Sequence, residues 1–159
     1  MFEIERKFLV APSGWHPESD GEHVVQGYLP HDRDDFDLRV RRQGSAGALA
    51  IKSHAASATR VDIEFEIPPA VANTLLGLVA EALRIRKVRY TANHAGRIWT
   101  IDAFQHPNPG LVLAEVELER ADEDLELPSW VGREVTGDPR YYNSHMVADM
   151  IAEARCATR

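Results

Sequence analysis

Apolar and charged residues alternate with a period of two along most of this 159-residue chain. In an extended strand, residues two apart lie on the same face, so each alternating segment predicts a strand with one apolar and one charged face. Few helical segments accompany these strands, which favours a closed antiparallel barrel or a strongly curved sheet. The eight predicted strands are Phe2–Val10, Val24–Leu29, Asp37–Arg42, Ala48–Ser53, Arg60–Ile67, Ile85–Asn93, Arg97–Phe104 and Leu111–Glu119.

Two segments predict helices beside this sheet. The first follows the Pro68-Pro69 pair and runs to Leu83, with proline in the first turn, where its missing N–H costs nothing. The second is the tail Tyr141–Arg155, whose apolar residues recur at helical spacing. The sequence shows no internal repeat or linker, and its length suits one core, so we expect residues 1–159 to form a single mainly β (α+β) domain.

The charged faces of the predicted strands carry short clusters of one sign. The simplest interpretation is a sheet with its polar face in water. Like charges on one strand face repel each other, however, unless ions of opposite sign lie between them. Carboxylates bind divalent cations, and arginine and lysine bind phosphate oxygens, so a barrel with both sets inside would bind a metal–polyphosphate. The clusters include Glu3/Glu5, Arg39/Arg41, Asp62/Glu64/Glu66, Lys87/Arg89 and Glu115/Glu117/Glu119.

Composition excludes several other classes of protein. The net charge of −7 argues against binding to duplex nucleic acid, which usually needs a basic surface. No apolar stretch approaches the roughly 20 residues of a membrane span, and the charged first residues predict no signal peptide. Cys156 is the only cysteine, so neither a disulfide framework nor a thiolate zinc site is expected, and we predict a cytoplasmic protein.

The segment EIERKFLV at residues 3–10 resembles the Glu-x-Glu-x-Lys signature of the CYTH family, the triphosphate tunnel metalloenzymes. One such motif is weak, but an ordered series of similar segments follows it along the whole chain. These segments are QGYL at 26–29, LRVRR at 38–42, AIK at 50–52, Arg60 to Pro68, KVRY at 87–90, WTIDAF at 99–104, LAEVEL at 113–118 and WVGREVTGDPRYYN at 130–143.

The resemblance implies an eight-stranded antiparallel closed barrel, the triphosphate tunnel, with a few flanking helices. It also implies a triphosphate-bearing small molecule as substrate and one or two Mg²⁺ or Mn²⁺ ions as cofactor. The chain looks closest to compact bacterial members that resemble inorganic triphosphatases, so we expect a metal-dependent hydrolase of inorganic tripolyphosphate. A class IV-type adenylyl cyclase, a nucleoside or thiamine triphosphatase, and a non-catalytic polyphosphate- or nucleotide-binding module stay open. A homodimer also stays open.

On this resemblance, particular residues are expected in the site. The phosphate oxygens are expected to contact Lys7, Tyr28, Arg39, Arg41, Lys52, Lys87, Arg89 and Arg133. The metal ligands are expected to be Glu3, Glu5, Asp62, Glu64, Asp102, Glu115 and Glu117. The residues expected to be catalytic are Glu5, Lys7, Arg41 and Lys87. The chain departs from the family pattern at Asp62, where a glutamate is common, at Ser53-His54, where a glycine is usual, and at Arg133, where a lysine is frequent.

Overall fold

The computed structural model describes residues 4–11, 14–32, 35–53, 62–120 and 122–157, with the backbone alone at residue 62. The described residues form nine strands, two α-helices and two short 3₁₀ helices. The strands are β1 Ile4–Val10, β2 Glu22–Tyr28, β3 Phe36–Gln43, β4 Ala46–Ser53, β5 Asp62–Ile67, β6 Ile85–His94, β7 Arg97–His106, β8 Val112–Leu118 and β9 Val131–Glu134. The α-helices are α1 Pro69–Leu76 and α2 Asn143–Ala157, and the 3₁₀ helices are Glu81–Leu83 and Pro139–Tyr141.

All nine strands belong to one antiparallel sheet in the order β5-β4-β3-β2-β6-β7-β8-β1-β9. The predicted mainly antiparallel β architecture is therefore confirmed. The prediction of eight strands in a closed barrel is not confirmed. A ninth strand, Val131–Glu134, adds to β1, and within the described residues the outer strands β5 and β9 do not pair with each other.

Strand register places most of the charged residues on one face of the sheet. Lys7 pairs with Glu115, and Arg89 pairs with Asp102, across neighbouring strands. Paired residues of antiparallel strands share a face, and the residues two positions away share it too. We call this surface the charged face. Its members on the described strands include Glu5, Lys7, Arg39, Arg41, Lys52, Glu64, Lys87, Arg89, Asp102, Glu115 and Glu117.

The sheet curls around the charged face. Lys52 on β4 and Glu5 on β1 are six strands apart in the sheet order, which is about 29 Å in a flat sheet. Lys52 nevertheless lowers the pKa of Glu5 through its charge, although the net pKa of Glu5 is raised, first by burial and then by Glu115. Because such interactions fade beyond about 10 Å in salt, the two strands must face each other across a concave interior.

The opposite, outer face of the sheet is apolar and carries α1. Ala72 and Leu76 pack with the buried Val40 of β3, so this helix covers β3 and β4. The close approach of α1 to β4 requires glycine at position 47, because a Cβ there would lie 2.9 Å from the Cβ of Ala72. The prediction of one helix continuing to Leu83 is wrong, since α1 ends before Gly77, a residue that disfavours the helix interior.

The second helix covers one end of the charged face. Met146 and Val147 of α2 pack with Ile85, Phe104 and Leu113, which lie two positions beyond charged residues on β6, β7 and β8. The concave interior is therefore charged in the middle and apolar at the end occupied by α2. None of the described helices has the length and hydropathy that a membrane crossing requires.

Candidate functional site

The most deeply buried ionic group of the charged face joins β6 and β7. Lys87, which is 1% exposed, donates to Oδ2 of Asp102 at 2.6 Å, and Arg89 donates to both carboxylate oxygens of Asp102 at 2.8 Å. Burial raises the pKa of Asp102, but the two cations outweigh it and lower the pKa to about 2. Burial lowers the pKa of Lys87 despite the attraction of Asp102. One carboxylate therefore compensates two cations, which leaves this cluster with net positive charge.

A second cluster joins β1 and β8. Lys7 Nζ lies 2.8 Å from Oε1 of Glu115 and 3.9 Å from Oε1 of Glu5. Burial opposes the charge of Lys7, but Glu115 and Glu5 outweigh it and raise the pKa of Lys7. Lys7 also lies over the ring of Tyr142 and donates to the backbone oxygen of Tyr141 at 3.5 Å. The segment that leads into α2 therefore fixes the position of this ammonium group.

A third cluster spans three strands. Arg39 and Arg41 on β3 donate to opposite oxygens of Glu64 on β5, at 3.0 and 2.6 Å. The intervening strand β4 places Ala50 between Arg39 and Glu64 and Ala48 beside Arg41. Because alanine side chains are short, the guanidinium groups can pass over β4. Here too, two cations share one carboxylate.

Three carboxylates lie close together at β1 and β8. Glu5 pairs with Glu117 across the two strands, and Glu115 lies two positions further along. The side chain of Glu5 is 43% exposed, and its pKa is raised by burial and by repulsion from Glu115 and Glu117. Divalent cations such as Mg²⁺ prefer carboxylate oxygens, so a cation here would relieve this repulsion.

The other predicted metal ligands are either engaged by cations or lie outside the described residues. Asp102 and Glu64 are bonded to cations, while Glu3 and the side chain of Asp62 lie outside the described residues. Across the described part of the chain, no group of three or more acidic, histidine or cysteine side chains is arranged to hold a metal ion. The residues Glu5 and Glu117 fit such an ion by their chemistry, whereas Glu115 is engaged with Lys7.

The remaining predicted phosphate contacts lie in different places. Tyr28 is half-buried on the charged face, opposite Arg39, and burial raises its pKa, so it stays a neutral phenol. Lys52 is half-buried on β4. Arg133 is exposed on the edge strand β9 and donates to the hydroxyl of Tyr141 at 3.2 Å. The structure therefore brings Tyr28 and Lys52 into the concave interior and leaves Arg133 near its rim.

Sequence reasoning missed one polar residue of the interior, Gln26. It lies two positions before Tyr28 on β2 and pairs with Arg41, so it belongs to the charged face. The spacing was visible in the sequence, since Gln26 and Tyr28 alternate with Val25 and Gly27. A single neutral amide did not stand out among so many charges.

The arrangement suits an elongated polyanion. The described clusters contain five cations, Lys7, Arg39, Arg41, Lys87 and Arg89, and each is held on a strand rather than on a loop. Arginine presents a planar fork of donors that matches phosphate oxygens, and lysine adds a compact charge. The apolar walls at the α2 end lower the local dielectric, which strengthens these interactions.

Comparison with known proteins identifies the family to which this chain belongs. An inorganic triphosphatase of Acetivibrio thermocellus is 40% identical over 145 residues, which cover 91% of this chain and 92% of that protein. An inorganic triphosphatase of Nitrosomonas europaea is 38% identical over 151 residues, with coverages of 90% and 95%. The crystal structure of the inorganic triphosphatase NE1496 is similar with a TM-score of 0.67 and 32% identity, covering 92% of this chain and 95% of that one. The CYTH domain profile matches residues 1–142, and the chain belongs to the CYTH family.

Proposed function

We propose that this protein hydrolyses inorganic triphosphate in the concave interior of its sheet. The observation that carries the proposal is that two clusters of the charged face, Arg39/Arg41 with Glu64 and Lys87/Arg89 with Asp102, each hold two cations to one carboxylate among the described residues. Each of these two clusters can therefore accept additional negative charge. The two relatives at 40% and 38% identity are named inorganic triphosphatases, which supports triphosphate as the source of that charge.

The cations position the substrate and stabilise charge as the bond breaks. Phosphoryl transfer offers little covalent work to a protein, so alignment and electrostatic stabilisation supply most of the rate. Arg41 and Lys87 would contact phosphate oxygens from β3 and β6, the two strands that flank β2. To do so, Arg41 must exchange its bond to Glu64 for a bond to the substrate. This exchange avoids the large cost of leaving a desolvated charge without a partner.

The acidic side of the interior would serve a divalent cation. Glu5 and Glu117, with Glu3, would hold Mg²⁺ or Mn²⁺, which when bound neutralises phosphate charge and activates the attacking water. Glu115, Glu64 and Asp102 then have a second role as partners that keep the lysine and arginine side chains in place. Asp62 belongs to the same proposed acidic set, on β5.

We further propose that the curled sheet acts as a tunnel wall with one working entrance. The α2 helix packs against Ile85, Phe104 and Leu113 at one end, so substrate would enter and products would leave at the other. The proposed location is the cytoplasm, where free phosphate compounds are plentiful. Either a monomer or a homodimer would leave the proposed entrance accessible.

Phosphate release from a panel of substrates tests the activity directly. Purified protein is expected to release phosphate from tripolyphosphate with Mg²⁺ or Mn²⁺, at least tenfold faster than from ATP or thiamine triphosphate. The reason is that the described interior supplies donors for phosphate oxygens, whereas its apolar end is covered by α2. Faster turnover of ATP would favour a nucleotide enzyme, formation of cyclic AMP a cyclase, and saturable binding without turnover a binding module.

Substitution of Glu5 by glutamine tests the proposed metal ligand. The variant keeps the size of the side chain but loses a charged oxygen, so the Mg²⁺ concentration at half-maximal rate is expected to rise by about 10–100-fold. A titration of phosphate release against Mg²⁺ measures this. Glu153→Gln, an exposed change on α2, is the control and is expected to leave the titration unchanged. An unaltered Mg²⁺ requirement in Glu5→Gln would remove Glu5 from the metal site.

A further inference from the structure

Gln26 is a buried polar residue on the charged face of the sheet. Its side chain is 1% exposed, and Nε2 has no hydrogen-bond partner among the described residues. A buried polar group without a partner costs about 1–3 kcal/mol, so such groups are rare in folded proteins. A buried amide that has no partner among the described residues therefore indicates a group that bonds to something other than the protein.

The surroundings of Gln26 indicate what that partner is. On one side it pairs with Arg41 of β3, and on the other it pairs with Ile85 of β6, two residues before Lys87. Gln26 thus lies between the strands that carry Arg41 and Lys87, the two cations that are proposed to bind phosphate. Any ligand drawn to this point by Arg41 and Lys87 is an anion, whose oxygens accept hydrogen bonds.

A neutral donor has an advantage at this position. Burial already lowers the pKa values of Arg41 and Lys87, and neighbouring cations lower them further. A third cation between them would add repulsion, whereas an amide N–H₂ adds a donor without adding charge. Gln26 can therefore extend the row of donors across β2, whose other residues on the charged face are Glu22, Val24 and Tyr28.

We propose that Nε2 of Gln26 donates a hydrogen bond to a non-bridging phosphate oxygen of the bound triphosphate. Gln26 is then a substrate-binding residue that links the contacts of β3 to those of β6. This inference rests on the proposed function, because it takes the ligand of the interior to be a triphosphate.

Substitution of Gln26 by methionine separates binding from folding. Methionine keeps the length of the side chain and removes the unpaired amide, so the thermal midpoint of the free protein is expected to stay the same or rise. The dissociation constant for tripolyphosphate, measured by calorimetry in EDTA, is expected to increase about 10–100-fold, as for a hydrogen bond to a charged group. The control is Gln105→Met, an exposed change on the outer face of β7, which is expected to leave affinity unchanged.

A second variant keeps the test available if methionine impairs folding. Gln26→Glu preserves shape but replaces the donor by a negative oxygen, so its affinity for tripolyphosphate is expected to fall below that of Gln26→Met. If Nε2 of Gln26 bonded to a buried water and not to the substrate, methionine would expel that water. The affinity of Gln26→Met for tripolyphosphate would then stay within twofold of the wild-type value. That result, or equal affinities of Gln26→Glu and wild type, overturns the proposal. Wild-type binding without hydrolysis would instead overturn the proposed activity, while the calorimetric comparison would still test Gln26.

Discussion

Replacement of Arg41 by alanine is expected to lower kcat/KM for tripolyphosphate by about 10³-fold or more, as when an arginine that stabilises a transferring phosphoryl group is removed. Arg41 is mostly buried and is held by Glu64 through a bond of 2.6 Å. Its guanidinium needs little rearrangement to meet phosphate oxygens, because it is already fixed on a strand. In the alanine variant this donor is lost, and Glu64 loses one of its two cationic partners, so its negative charge repels the substrate more strongly.

The adjacent residue provides a matched control. Arg42 follows Arg41 on β3 but lies on the opposite face of the sheet and is exposed. Arg42→Ala removes the same side chain one position away, and less than a twofold change in kcat/KM is expected. Steady-state phosphate release and a thermal melt of each variant measure activity and folding separately. Comparable losses in Arg41→Ala and Arg42→Ala, or full activity in Arg41→Ala, would contradict the placement of substrate on the charged face.

Replacement of Asp102 by alanine is expected to reduce the free energy of unfolding by about 3–5 kcal/mol. The carboxylate is almost fully buried and accepts three hydrogen bonds from Lys87 and Arg89. Its removal leaves two desolvated cations without a partner, which is the costly half of breaking a buried ion pair. Urea unfolding measures the loss, and Asp149→Ala on the exposed side of α2, the control, is expected to change stability by less than about 0.5 kcal/mol.

The effects of tripolyphosphate and of low pH on stability provide two further tests of the role of Asp102. Tripolyphosphate is expected to restore part of the stability of Asp102→Ala, because a bound polyanion replaces the missing negative charge. In the wild type, the pKa of Asp102 is about 2 in the folded state against an ordinary value of 3.8. The carboxylate is therefore stabilising above pH 4, and its contribution is lost as the pH falls from about 4 to 2. Asp102→Ala is expected to lack this part of the acid dependence.

The alternation of residues predicts the strands well because the side-chain period of a strand is fixed by its geometry. The predicted segment Ala48–Ser53 and the observed β4, Ala46–Ser53, differ by two residues at one end. The short strand Val131–Glu134 was missed, since four mostly exposed residues show no clear alternation. Whether the two outer strands pair and close the sheet into a barrel could not be predicted from the sequence. Barrel closure depends on how strongly the sheet curls and not on the pattern within any one strand.

The sequence predicts which face of its strand each site residue occupies, but not which residues contact each other. Alternation places Arg39, Arg41 and Glu64 on the charged sides of their strands, and the structure brings them together. Which carboxylate holds which cation depends on the strand order, in which β2 lies between β3 and β6. This order makes Gln26 the neighbour of Arg41, although the two are 15 residues apart. The ionic partners of Asp102 likewise appear only when β6 and β7 are paired.

Strand β4 contributes to the site mainly by the volume that it lacks. The two residues over which the arginine side chains extend are Ala48 and Ala50, and both are buried. A valine or leucine there would occupy the path from β3 to β5 and force the guanidinium groups away from Glu64, even though every charged residue were kept. The small side chains of Ala48 and Ala50 thus allow ion pairs between two strands that are not direct neighbours in the sheet. A search for charged motifs alone would overlook these two residues.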